Sequence, residues 1–216
     1  GFSPSLNLDE YAYVLDGLVS LLQKSWREVD IAYAKKIAKA LLEDFYDTEV
    51  GGFYMAPKNR EHLIFNPKPT MDETSGPGNA IASSALNKLG LILGESQFQD
   101  AALNTLRWAR TIIEYNPASH CAFMTSLFET ARIKYVVIFR GPDEERGKLL
   151  MTCQGDIFES CIFLEIPYGE PKTLPAYLPK IESSDAMSIP KAYVFDGTTC
   201  SPALHNKDEI LNYLGT

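Results

Sequence analysis

Residues 69–93, PTMDETSGPGNAIASSALNKLGLIL, set two acids, three hydroxyl residues and two glycines ahead of an apolar pattern. Proline, glycine and serine punctuate a chain, whereas Ile81, Ala82, Ala85, Leu86, Leu89 and Leu93 recur at the spacing that propagates a helix. The polar cluster therefore stands at a helix N-terminus. There the first backbone N–H groups lack intrahelical partners, and the dipole favours negative charge. Two uses of the cluster stay open at this point: local capping by Ser75 or Asn79, or a site for an anionic or hydroxyl-rich ligand.

Outward from this stretch the same period recurs. Tyr11, Val14, Leu15, Leu18, Val19 and Leu22 mark a first helix from Leu8 to about Trp26, with Asp9 and Glu10 in its first turn. Ala34, Ile37, Ala38, Leu41, Leu42 and Phe45 mark a second, and the short SWREVD between them predicts an antiparallel pair. A further helix follows the opening stretch, with Phe98, Ala102, Leu106, Ala109 and Ile113 on one face, and a short one is expected over 118–131. EVGGFYMA and HLIFNP read as short extended pieces around a polar turn, a hairpin or a pair of edge strands between the helix pairs. The two helix pairs look like one repeated unit, and stacked hairpins need neighbours on both sides, so the array reads as incomplete.

Past Arg132 the texture changes. KYVVIF is a short β-branched run, SCIFLEI a second buried run and KAYVFDG a third, and with the polar-started helix GPDEERGKLLMTC after the first they predict a β-α-β order and a small sheet with parallel pairing. The proline-rich 167–190 reads as an irregular connection, and NKDEILNYL as a closing helix. The fold class is thus mainly α, with helical hairpins over 1–132 and a small α/β subdomain over 133–216.

Composition excludes several classes. The 216 residues are 45% hydrophobic, enough for a real core, and no run approaches the length that spans a membrane. The N-terminus lacks the order of a signal peptide, which predicts a cytoplasmic protein. A formal charge of −8 without a basic cluster argues against nucleic acid and anionic membranes as partners. Cys121, Cys153, Cys161 and Cys200 are too widely spaced for a redox pair or zinc knuckle, His62, His120 and His205 are scattered, and neither metal nor cofactor is expected. Cys200, in TTCSP, has no resolving partner nearby, and RGPDEERG lacks the phosphate-loop pattern.

Several stretches carry a resemblance. LNLDEYAYVLDGLVSLL, EVGGFYMAP, DETSGPGNAIASSALNKLG, KYVVIFRG and AYVFDGTTCSPALHNKDEIL resemble, in that order, the C-terminal third of the thioredoxin-domain-containing proteins related to spermatogenesis-associated protein. That family is similar to a thioredoxin-like domain followed by an (α/α) toroid of the kind seen in N-acylglucosamine 2-epimerases and six-hairpin glycosidases. The resemblance implies an incomplete (α/α) toroid followed by a small β-α-β layer, with the N-terminal thioredoxin-like and toroid portions of the same protein as partners. Self-association through uncovered apolar surface follows from the same reading. In a toroid, Asp9, Glu10, Asp72 and Glu73 would share one acidic cleft as candidate catalytic carboxylates, with Tyr11 and Tyr54 as stacking faces and Ser75 and Asn79 as ligand contacts. A small carbohydrate is the ligand this implies, and a non-catalytic scaffold that docks the thioredoxin-like domain is the alternative.

Overall fold

The computed structural model describes residues 7–60, 63–157, 160–167, 175–178 and 189–215. Seven α-helices and three strands appear among them: α1 (Leu8–Lys24), α2 (Glu28–Ala40), α3 (Gly78–Leu93), α4 (Ser96–Tyr115), α5 (Cys121–Arg132), β1 (Tyr135–Arg140), α6 (Asp143–Ile157), β2 (Cys161–Glu165), β3 (Lys191–Phe195) and α7 (Lys207–Leu214). The expected architecture, mainly helical with a small β layer, is the one observed. Two compact units result, the first made of Gly1–Val19, Ala32–Gly90 and Glu95–Ala131, the second of Ser20–Ile31, Leu91–Gly94 and Arg132–Thr216.

Helical periodicity places most of the core. On α4, Phe98, Ala102, Leu106, Ala109 and Ile113 are all buried, as their spacing predicts, and each large side chain so placed contributes about 1.5–3 kcal/mol. Leu106, Ala109 and Ile113 pack with Ala80 of α3 and Phe123 of α5. The stripe on α1 is rotated from the expected one: Leu8, Tyr11, Ala12, Leu15, Val19 and Leu22 are buried, whereas Val14 is 53% exposed. The small Ala12 supplies a close-packing position that a search for large apolar residues passes over.

Two local features differ from expectation. The α2 stripe ends in one wider turn, Leu41–Phe45, where the Tyr46 N–H reaches back five residues to the Leu41 carbonyl. The loop after it forms no hairpin with HLIFNP, of which His62 lies outside the described residues; Tyr46 instead bridges Phe53 in a tight antiparallel contact. Gly51 and Gly52 make that turn with φ of 88° and 79°. A Cβ on Gly52 would stand 2.7 Å from the Trp108 ring, so the loop lies flat on α4 only because both residues lack side chains.

In the second unit the strand order is β2-β1-β3. β1 and β2 pair in parallel, Tyr135 opposite Cys161, with α6 as the crossover between them. β3 runs antiparallel to β1, Val137 opposite Val194, so the parallel pairing expected of the sheet holds for β1 with β2 and not for β3. The long connection lets the chain return on the far side of β1 in either direction. Val137, Phe139, Phe163, Val194, Leu149, Ile210 and Leu214 form the core over which α6 and α7 lie. None of the described helices is long and apolar enough to cross a membrane.

Candidate functional site

The polar residues that stand out in sequence are largely occupied in holding the first unit together. Asp9 Oδ1 accepts a 2.9 Å hydrogen bond from the backbone N–H of Gly78, so α1 supplies the cap for the start of α3. Asp72 does the same for α5: its carboxylate accepts from the Ala122 N–H at 3.1 Å, while its own N–H donates to the Ser119 carbonyl. Glu10 accepts from the Asn7 N–H within its own first turn. Glu73 and Ser75 are exposed, the Glu73 N–H donating to the Ser75 carbonyl. Asp9 and Asp72 are thus tied to different helix starts, those of α3 and α5.

Asn79 is fully buried, and its amide is committed on both sides. Its Oδ1 accepts from the Phe53 N–H at 2.6 Å, and its Nδ2 donates to the carbonyls of Phe53 and Pro69 at 2.9 and 3.0 Å. Both donors being engaged, it clamps the Gly51–Tyr54 loop instead of facing a ligand. Tyr11 is 7% exposed, with its ring centroid 5.0 Å from that of Phe45, and burial raises its pKa. It packs as a core aromatic against Phe45.

Tyr54 belongs to a network that the sequence did not single out. Its hydroxyl donates to Asp47 Oδ2 at 2.8 Å, and Lys68 Nζ donates to the same oxygen at 2.6 Å and to the Gly51 carbonyl at 2.7 Å. The ammonium also lies 4.8 Å from the Tyr54 ring centroid and 5.1 Å from that of Trp108. Burial alone would raise the Asp47 pKa. The bonds from Lys68, the Val50 N–H, Tyr54 and the Glu49 N–H outweigh it and hold the carboxyl well below the usual carboxylate range. Every member is engaged, and the network fixes the loop.

A polar pocket of different character lies among α1, α3 and α5, within the first unit. Its volume is about 330 Å³, and Asp16, Ser84, Lys88, Thr125, Ser126 and Glu129 are on its walls. Lys88 Nζ donates to Glu129 Oε1 at 2.9 Å, and Ser84 Oγ donates to Glu129 Oε2 at 2.5 Å, so that carboxylate is held from two sides. Asp16 makes no hydrogen bond or direct ion pair among the described residues. Burial is the main reason its pKa is raised, with the Glu129 charge adding and Lys88 opposing. Ser126 is 1% exposed, and its Oγ has no hydrogen-bond partner. A half-buried carboxyl without a partner, beside an unbonded hydroxyl, is where stability has been forgone.

Sequence reading passed over this pocket because each residue is unremarkable on its own helix. The available signal is spacing: Ser84 and Lys88 are four apart on a strongly apolar helix, Thr125 and Glu129 four apart on α5. Among the described residues no cluster of His, Cys, Asp and Glu could hold a metal ion.

No family model matches the chain. Over 214 residues it is 22% identical to mouse Spermatogenesis-associated protein 20 and 21% identical to the rat protein of that name, alignments that take in 96% of this chain and 27% of each relative. The chain therefore spans about a quarter of the length of the curated relatives it matches, and the homology to them, which runs along nearly all of this chain, is distant.

Proposed function

We propose that the first unit binds a small hydroxyl-bearing molecule, of the carbohydrate or polyol class, in the pocket among α1, α3 and α5. The observation that carries this reading is the coexistence, in one cavity of small-molecule size, of a held carboxylate, Glu129 with Lys88 and Ser84, a half-buried carboxyl, Asp16, and a buried hydroxyl without a hydrogen-bond partner, Ser126. It moves the ligand away from Asp9, Glu10, Asp72 and Glu73; the carboxylates of Asp9, Glu10 and Asp72 accept from backbone N–H groups at helix starts, which supports a structural part for those three. Saturation-transfer NMR with a panel of pentitols and hexoses tests it. A subset should give signals that vanish in Lys88→Met with the fold retained; silence across the panel, or signals indifferent to that substitution, would count against the pocket.

A second reading, a non-catalytic helical scaffold that seats a thioredoxin-like portion of a longer polypeptide, is favoured by a different feature. Leu106, Ile113, Met124 and Leu127 line an apolar groove of about 670 Å³ between α4 and α5, with Met124 and Leu127 each 43% exposed beside it. Uncovered, this face would drive self-association. Sedimentation velocity across a wide concentration range, repeated with Leu127→Lys, distinguishes a face that associates from one that does not.

A further inference from the structure

The pocket among α1, α3 and α5 has a donor–acceptor balance more specific than a generally polar lining. Ser84 Oγ spends its proton on Glu129 Oε2 at 2.5 Å, and Thr125 Oγ1 spends its own on the Cys121 carbonyl at 3.0 Å. A hydroxyl has one proton and two lone pairs, so both oxygens are left to accept only. The Asp16 carboxylate, without a hydrogen bond or direct ion pair among the described residues, adds acceptors on the α1 side. Lys88 is drawn onto Glu129, with Nζ 2.9 Å from both Oε1 and Oε2, so its charge is largely matched there. Two carboxylates against one ammonium leave the pocket one negative charge in excess when both acids are ionised. Ser126 Oγ, buried and without a hydrogen-bond partner, has lone pairs that can accept from a ligand donor, although its own proton is also uncommitted.

From this balance we infer that the ligand of the pocket carries a protonated amine, seated against Asp16 and the hydroxyl oxygens of Ser84, Thr125 and Ser126. An ammonium has three donors and no acceptor, the complement of such a wall. Its charge would supply what burial withholds from Asp16, and the chain's overall charge of −8 favours approach of a cation. This inference rests on the pocket reading and narrows its ligand class.

A matched pair of probes separates the two levels: sorbitol, and 1-amino-1-deoxysorbitol, which differs by one hydroxyl replaced by ammonium. Isothermal titration of the full chain at pH 7 should show the amine binding at least tenfold more tightly. Asp16→Asn should remove most of that preference, bringing the affinities for the two probes together. This variant removes a half-buried charge without a direct partner, so it is expected to fold, and Ser126→Ala provides a second, milder probe with the same sign of effect. Equal binding of both probes would overturn the amine inference and leave the pocket reading intact. Binding of neither would overturn both, and an amine preference that persists undiminished in Asp16→Asn would overturn the inference alone.

Discussion

Replacing Asp47 by alanine should cost the first unit more stability than any other single polar substitution discussed above. The carboxylate accepts four hydrogen bonds: from Lys68 at 2.6 Å, the Tyr54 hydroxyl at 2.8 Å, and the Glu49 and Val50 N–H groups at 2.9 and 3.1 Å. The Lys68 and Asp47 side chains are each 12% exposed, so solvent screens the pair weakly. Removing one partner of such a pair costs about 3–5 kcal/mol, because the remaining charge stays desolvated. Here the Gly51 carbonyl and the faces of Tyr54 and Trp108 still hold the ammonium, and the two N–H groups can turn to water, which places the loss at the lower end, about 3 kcal/mol. For a chain of this length that is a fall in Tm of roughly 6–12 °C. Calorimetry should show it in the transition that carries the first unit. The mechanism makes a sharper claim through the double variant. Lys68→Met removes the stranded ammonium, so Asp47→Ala with Lys68→Met should be less destabilised than the sum of the singles by at least about 1 kcal/mol. A loss below about 1 kcal/mol for Asp47→Ala, or strict additivity in the cycle, would refute the reasoning.

Three more outcomes follow from the same geometry. Asp9→Ala and Asp72→Ala should each lower stability by about 0.5–2 kcal/mol in urea titrations and add without coupling, since they cap different helices; loss of ligand binding with unchanged stability would instead restore them as site residues. Gly52→Ala should cost about 2 kcal/mol or more, because it adds strain at φ 79° to a contact with Trp108, and a Trp108→Ala background should recover only the contact part. Asp16 and Asp47 should respond to pH with opposite sign. The folded pKa of Asp16 is raised, so the native state holds its proton longer and stability falls as pH climbs from the ordinary aspartate value toward the folded one; Asp16→Asn should abolish that loss. The folded pKa of Asp47 is depressed, so its contribution is complete above the ordinary value and fades as pH drops below it. Urea midpoints of wild type against Asp16→Asn between about pH 4 and 8 should therefore diverge upward, and parallel curves would contradict the burial of Asp16.

By itself the sequence determined whatever depends on residues a few positions apart. The buried face of α4 is readable because Phe98, Ala102, Leu106, Ala109 and Ile113 repeat with the helical period, and β1 and β2 because two short apolar runs flank a helix of crossover length. The paired glycines likewise announce a turn that ordinary side chains would strain. Tertiary structure decided everything that depends on which elements meet. Asp9 and Asp72 look alike in sequence, as acids near helix starts, yet one caps α3 from α1 and the other caps α5 from a loop 50 residues away. Lys68 and Asp47 are 21 residues apart with no shared period, and Asp16, Lys88 and Glu129 converge only because three helices bring one turn each to the same cavity. The direction of β3 was open for the same reason, since a long connection imposes no handedness on the strand that follows it. Local patterns are written by backbone hydrogen bonding and the period of the helix or strand, whereas pairings across the fold are set by packing, which no short stretch of sequence contains.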